Sequence, residues 1–301
     1  MRLDQALSRL LPEYSRSRLQ KWMREGHVTV DGSAMAAKAR VWGGETIAVL
    51  PQPDADALAF RAEPIPLQIV FEDDAILVID KPAGLVVHPG SGNWSGTLLN
   101  ALLEHDPKLR MLPRAGIVHR LDKDTSGLLV IARTLQAQTS LVRQLQSRSV
   151  GREYLAAVHG SVPKDGMVEA PIGRDPVART RMAVVAKGKP ALTRYKVIER
   201  GTGWTLLRCR LETGRTHQIR VHLAAIGHPL IGDPVYRSRR THVALPESGQ
   251  RFSRQALHAA RLTLSHPDSG KQLTWESVLP DDLSRLLAGL RGEAAEHAAA
   301  D

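Results

Sequence analysis

Residues 116–132 read GIVHRLDKDTSGLLVIA, with His119, Arg120, Asp122, Lys123, Asp124, Thr125 and Ser126 set between two apolar runs. The pattern predicts a loop held between two buried strands, a rigid place to hold a reactive group. A solvated turn has the same composition, so the meaning of the cluster depends on what surrounds it.

Outward from this stretch the chain is strand-rich. AILVID (75–80), GLVVHP (84–89), YLAAVHG (154–160), WTLLRCRLE (204–212) and RLTLSHP (261–267) are short apolar or alternating runs bounded by turn residues. Helices are interspersed, the clearest following Thr134 with Ala137, Leu141, Val142 and Leu145 on one face. Strands and helices do not alternate regularly enough for a doubly wound parallel sheet. The expected class is α+β, with flanking helices on a mixed, largely antiparallel sheet.

The first fifty residues form a different pattern. Leu3, Leu7, Leu10 and Leu11 follow helical spacing, and a second helix is expected with Ser17 as its cap, Trp22 and Met23 inward and Gly26 at its end. HVTVDG and GGETIAVL then read as strands, giving a small α/β module over residues 1–50. PQPDADALAFRAEPIP marks a linker over 51–66, rich in proline and acid and without periodicity. A second domain is expected over 67–290, and the low-complexity end, 291–301, as a disordered tail.

Composition narrows the function. The 301 residues carry 41 Lys and Arg against 31 Asp and Glu, a formal charge of +10. Arg174 to Arg220 alone holds twelve basic and three acidic residues, so the field is concentrated and suits a polyanion such as nucleic acid. A solvated basic surface is the plainer reading of a charge run taken alone. One cysteine forbids an intrachain disulfide and a thiolate metal cluster, and alternation in LLRCRL puts Cys209 beside Leu207 and Leu211 on an apolar strand face. No apolar run is long enough for a membrane span and the first thirty residues are studded with charges, so a cytoplasmic protein is expected.

HRLDKDTSGLLV resembles the catalytic motif of the RluA-type RNA pseudouridine synthases. Four further stretches are similar to motifs of that family, in order: DKPAGLVVHPGSG (80–92), REYLAAVHG (152–160), TGRTHQIRVH (213–222) and LHAARLTLSHP (257–267). NWSGTLLNALL, PIGRDP and RTRMAV look closest to members that act on large-subunit ribosomal RNA. SRSRLQKWMREGHVTVDG (15–32) resembles an S4-type RNA-binding domain, which docks through a basic helical face, here Arg16, Arg18, Lys21 and Arg24. Arg152, Arg194 and Arg237 depart from the residues common at those places in the family; Arg152 keeps the charge.

The resemblance implies an isomerase that detaches uracil from its ribose and rejoins it through carbon. That reaction has no net redox change and imports no group, so no cofactor and no metal are expected. It makes Asp122 the reacting carboxylate, Arg220 its ion-pair partner and Tyr154 a surface against the uracil ring. The target base must leave its stack. Arg120 precedes Asp122 by two residues, so on extended backbone both side chains leave the same face, which suits a wedge. Arg215 and the loop carrying Arg174, Arg179 and Arg181 would hold phosphates. The expected partner is large-subunit ribosomal RNA or an assembling particle, with the protein a monomer and no membrane involved.

Three other readings compete. DKDTSG also resembles the opening of the magnesium phosphatases with an Asp nucleophile, which need further acids downstream; the acidic doublet well beyond it, Asp281-Asp282, follows Leu279-Pro280 and not a buried strand. A zinc site from His119, His217 and His222 is weak, because residues five apart on a strand face opposite sides. A non-catalytic RNA-binding or ribosome-assembly factor is the remaining alternative, and the intact Asp122, Tyr154 and Arg220 argue against it.

Overall fold

The computed structural model describes residues 1–52, 60–90, 92–237 and 245–292. The chain divides into two compact units, Met1–Leu58 and Ala59–Asp301.

In the first unit, α1 (Leu3–Leu10) and α2 (Arg16–Arg24) bury Leu3, Leu7, Leu19, Trp22 and Met23 together with Val28 and Val30. Leu10, expected on the apolar stripe, is 66% exposed. The cap of α2 is Ser15 and not Ser17: its hydroxyl accepts from Arg18 N, three residues on, while Ser17 already lies inside the helix. Gly26 ends the helix region at φ +79. The strands β1 (Val28–Val30), β2 (Ser33–Ala34) and β3 (Ile47–Val49) pair antiparallel in the order β2-β1-β3.

The second unit is built on a sheet with nine strands among the described residues. In chain order these are β4 (Ile69–Glu72), β5 (Ile76–Lys81), β6 (Ser126–Ala132), β7 (Gly151–His159), β8 (Gly166–Glu169), then, after the separate hairpin β9 (Ile172–Arg174) and β10 (Met182–Val184), β11 (Leu192–Gly201), β12 (Trp204–Leu211), β13 (Leu257–Ser265) and β14 (Gln272–Glu276). The order is β4-β5-β6-β13-β7-β12-β11-β8, with β14 on β13. All neighbours run antiparallel except β6 and β13. The fold class is thus the mixed, largely antiparallel α+β arrangement expected.

Both faces are covered, so Ile76–Ile79 of β5 and Leu128–Ala132 of β6 are continuous apolar runs rather than alternating. Leu77, Ile79, Leu129 and Ile131 face one core with the helix Leu98–His105 and with Tyr154, Leu207 and Cys209. Ile76, Val78, Leu128 and Val130 face a second core under the helix Leu135–Gln146, which Thr134 caps, with Ala137 and Leu141 inward. Trp204 and Leu206 pack against the last helix, Asp281–Arg291.

Two expected strands are absent. GLVVHP makes a lone bridge at Val86, because the carbonyls of Val86 and Val87 are taken by the amides of Leu98 and Leu99 in the first turn of a helix. Upstream of the reactive loop there is likewise a single bridge, Ile117 to Ile131, after a tight turn in which Arg114 and Ala115 hold left-handed φ of 54 and 50. Of the expected linker, 53–59 lie outside the described residues, and Arg61 and Glu63 hydrogen-bond to Asn100. Of the expected tail, 293–301 lie outside the described residues; Arg291 closes the last helix.

Candidate active site

The reactive loop opens where β13 changes partners. One edge of β13 pairs with β7; along the other, His258 and Ala259 pair with Ser126 and Gly127, and Arg261–Ser265 pair with β14. Gly127 is required at that junction: its φ is +111 and a Cβ would lie 2.3 Å from Ala259 O. Asp122–Ser126 therefore enter the middle of the sheet.

The loop is fixed through its backbone. Asp122 O accepts from Thr125 N at 3.1 Å, Lys123 O from Gly84 N and Lys81 Nζ at 2.9 Å each, and Asp124 O from Arg254 Nη1 at 3.0 Å. Lys81 is wholly buried and also donates to Pro82 O and Leu85 O at 2.7 and 3.0 Å. Burial pushes its pKa down to about 7, opposed by Asp124 and Asp122. Exposed Arg120, buried Leu121 and half-buried Asp122 alternate, and Arg120 and Asp122 border the same cleft as the spacing implies.

Asp122 meets Arg220, whose Nη1 donates to Asp122 Oδ2 at 3.1 Å. TGRTHQIRVH, read above as a strand, is a turn followed by the helix Gln218–Ala225. Gln218 makes the change of direction: its Oε1 accepts from Thr213 Oγ1 and Arg215 N, and its Nε2 donates to Leu192 O and Thr193 Oγ1. The four-residue spacing of Ile219 and Leu223, both buried, was the available helical signal. Tyr154, on β7, borders the cleft with Asp122. Burial raises the pKa of its phenol; Arg152 opposes this and Asp122 adds to it.

Two residues at this site, Asp233 and Tyr236, went unassigned in the sequence, and His217 was weighed there only as a zinc ligand. Asp233, fully buried, takes Arg220 Nε at 2.7 Å and Nη2 at 2.9 Å. Burial alone would lower the Arg220 pKa, but Asp233 and then Asp122 outweigh it and hold the pKa above its ordinary value. The Tyr236 ring lies 5.0 Å from the guanidinium carbon, and its hydroxyl accepts from Met182 N at 3.0 Å and pairs with His217 Nδ1 at 2.8 Å. His217 Nε2 stands 3.9 Å from Asp122 Oδ1. Burial lowers the pKa of this imidazole, with Asp122 opposing and Arg220 assisting. GHPLIGDPVY contains both Asp233 and Tyr236, yet nothing in its spacing points to Arg220.

The expected phosphate-binding arginines are exposed. Arg174, Arg179 and Arg181 lie on the β9-β10 hairpin, and Arg215 flanks the cleft with its Nε on Pro190 O. The basic face expected on α2 is partly spent. Arg16 pairs with fully buried Asp4 at 2.6 Å, Arg18 lies over Tyr14 and Trp22, and Lys21 is 3.9 Å from Glu25; Arg24 is exposed. Of the other departures, Arg194 pairs with Glu212 and Arg237 reaches Asp233 O.

The alternative readings find other uses for their residues. His222 bonds Thr193 Oγ1 and Ala170 O, His119 accepts from Val130 N, and His217 and His222 belong to one helical segment rather than a strand. Asp282 holds Arg254 at 2.6 Å, in the first turn of the last helix. Among the described residues no helix is long and apolar enough to cross a membrane.

Comparison with known proteins identifies the family. The profile for RNA pseudouridylate synthases matches residues 75–225, and that for the S4 domain matches residues 1–45. Ribosomal large subunit pseudouridine synthase D of Nitrosomonas europaea is 60% identical over 97% of this chain and 85% of its own length. The protein of that name from Escherichia coli is 49% identical over 98% and 92%. Among solved structures, human RNA pseudouridylate synthase domain containing 4 is 26% identical with a TM-score of 0.57, covering 74% of this chain and 93% of that one. The chain belongs to the RNA pseudouridylate synthase family and carries an S4 domain.

Proposed function

We propose that this enzyme converts specific uridines of large-subunit ribosomal RNA to pseudouridine, with Asp122 as the reacting carboxylate. The observation that carries the reading is the Asp122 carboxylate, half-buried and 3.1 Å from a buried Arg220, in the cleft that Tyr154 borders. The guanidinium holds the carboxylate in place, and a carboxylate can attack as a nucleophile or remove a proton.

The target base leaves its stack, and Arg120, exposed beside Asp122, fills the gap it leaves. Tyr154 offers its ring to the uracil, stacking first, and its hydroxyl helps remove the C5 proton second. Arg215 and the hairpin arginines hold phosphates, which contributes affinity and register but little sequence discrimination. The relatives named above are described as acting on the large ribosomal subunit, which supports the same substrate here. We further read the protein as a cytoplasmic monomer whose S4 unit binds folded RNA while the larger unit selects the uridine.

Asp122→Asn tests the reading, by tritium release from RNA labelled at uridine C5. Turnover should be abolished while RNA binding is largely kept; unchanged turnover would place the nucleophile elsewhere. EDTA should have no effect, whereas the phosphatase reading requires inhibition. Removing residues 1–50 should raise KM more than it lowers kcat.

A further inference from the structure

Arg152 lies on β7 and is 7% exposed, yet among the described residues it makes no hydrogen bond or ion pair, and its Nε is sealed from solvent without a partner. A guanidinium does not shed its proton, so a charged group with little solvent contact stands here without a protein partner. Among the described residues no carboxylate pairs with it. Glu153, the next residue, leaves the other face of the strand toward Arg208. The His119 pKa is held down to about 3 by burial and then by Arg152 itself, so that ring is neutral and its Nε2 already accepts from Val130 N.

The position lies close to residues of the cleft, Tyr154 and Arg215 among them. Strand alternation puts Arg152 on the same face as Tyr154, about 7 Å along β7. Gly214 leaves room for it, since a Cβ there would stand 2.8 Å from Arg152 Nη1. A buried, unneutralised donor beside the ring proposed to face the uracil is a site that lacks its anion.

Resting on the function proposed above, we infer that Arg152 is a substrate-binding residue that receives an anionic oxygen of the bound nucleotide. Two oxygens have that chemistry. One belongs to a phosphate flanking the target. The other is a carbonyl oxygen of the departing uracil: when the C1′–N1 bond breaks, its electron pair stays on the base and spreads to O2 and O4, where N–H donors stabilise it without proton transfer. Formation of the C1′–C5 bond then uses that charge, one proton leaves C5 and one is taken up at N1, so the step balances as an isomerisation.

The full-length chain with Arg152→Met or Arg152→Lys tests this. Removing an uncompensated buried charge with a side chain of similar length should raise Tm by a few degrees, whereas loss of a structural arginine would lower it. In the same variant kcat/KM should fall about 100-fold, with Arg152→Lys retaining more. If the loss lies in RNA affinity and the salt slope flattens by about one unit, the oxygen is a phosphate's. If it lies in the single-turnover rate at saturating RNA with the slope unchanged, the oxygen is the base's. Arg152→Met with a lower Tm, or with wild-type rate and affinity, overturns the inference. Uridine 5′-monophosphate keeps the test separate from the function itself: it should raise the Tm of the wild type and not of Arg152→Met, even if no RNA offered to the wild type is turned over, an outcome that would refute the proposed function instead.

Discussion

Asp233 grips Arg220 with both carboxylate oxygens, at 2.7 and 2.9 Å, and leaves Nη1 alone to reach Asp122 at 3.1 Å. The plane of the guanidinium, and hence the position of the reacting acid, is set by a residue outside the motif that names the site. Asp233 also caps the next turn, accepting from Val235 N and Tyr236 N. Asp233→Asn should therefore lower kcat by about 100-fold with KM little changed, since misplacement of a reacting group by an ångström has that effect. It should also destabilise the fold by about 3 kcal/mol, the low end for breaking a buried ion pair. Single-turnover kinetics and urea unfolding check both, and a wild-type rate in a destabilised protein would show that Arg220 needs no brace.

Tyr236 joins the arginine hairpin to the site. Met182 N donates to its hydroxyl, which also shares a hydrogen bond with His217 Nδ1 and so turns Nε2 of that ring toward Asp122. At 3.9 Å this last contact is too long for a hydrogen bond, and closing it takes a shift of about 1 Å. Tyr236→Phe keeps the ring under Arg220 and removes the hydroxyl. Amide exchange at Met182 should accelerate and kcat should fall about five-fold, the size of one modest hydrogen bond. Unaltered exchange at Met182 would mean that the hydroxyl holds nothing.

The hairpin should account for much of the salt dependence. Replacing Arg174, Arg179 and Arg181 together by Gln removes three exposed charges and no buried contact. If each meets one phosphate, the slope of log K against log salt should flatten by roughly two units, near 0.7 per charge for single-stranded RNA. A slope equal to that of the wild type places the RNA path elsewhere.

Asp4 gives the first unit its acid sensitivity. Hydrogen bonds from Arg16, then Gln20 and Arg2, hold its carboxyl well below the usual carboxylate range despite the opposing effect of burial. The folded pKa lies below the unfolded value of about 3.9, so this contribution is complete above that pH and is lost as pH falls through the folded pKa. Amide exchange across residues 3–30 of the full chain should accelerate below about pH 4, and Asp4→Asn should flatten that dependence. At pH 7 the same change should weaken the unit by about 2 kcal/mol. Equal acid sensitivity in the two proteins would assign the effect to another group.

Much of this was legible in the residues. The run GLLVIA is apolar at every position because β6 is covered on both faces, and LLRCRL alternates because alternate side chains of β12 leave the core; Cys209 is buried there, its pKa pushed up to about 12 by burial. The helix after Thr134 was readable because Ala137 and Leu141 repeat at four residues on one face. Failures came where a local rule met a distant competitor. GLVVHP has strand composition, but its carbonyls were claimed by a helix start. TGRTHQIRVH looked extended until the Gln218 side chain is seen to tie the turn to β11.

Sequence by itself determined the chemistry on offer and its strand and helix alphabet, because side-chain identity and periodicity depend on neighbours a few residues away. It determined that Asp122 sits on a short polar loop beside a buried strand, and that positive charge gathers between residues 174 and 220. Only the tertiary structure decided which charges are spent and which are left to act. Arg16 is taken by Asp4, twelve residues earlier, Arg220 is shared between Asp233 and Asp122, and Arg152 is buried with no partner among the described residues. Those outcomes depend on distances between segments as far as 98 residues apart, and such distances exist only once the sheet has closed.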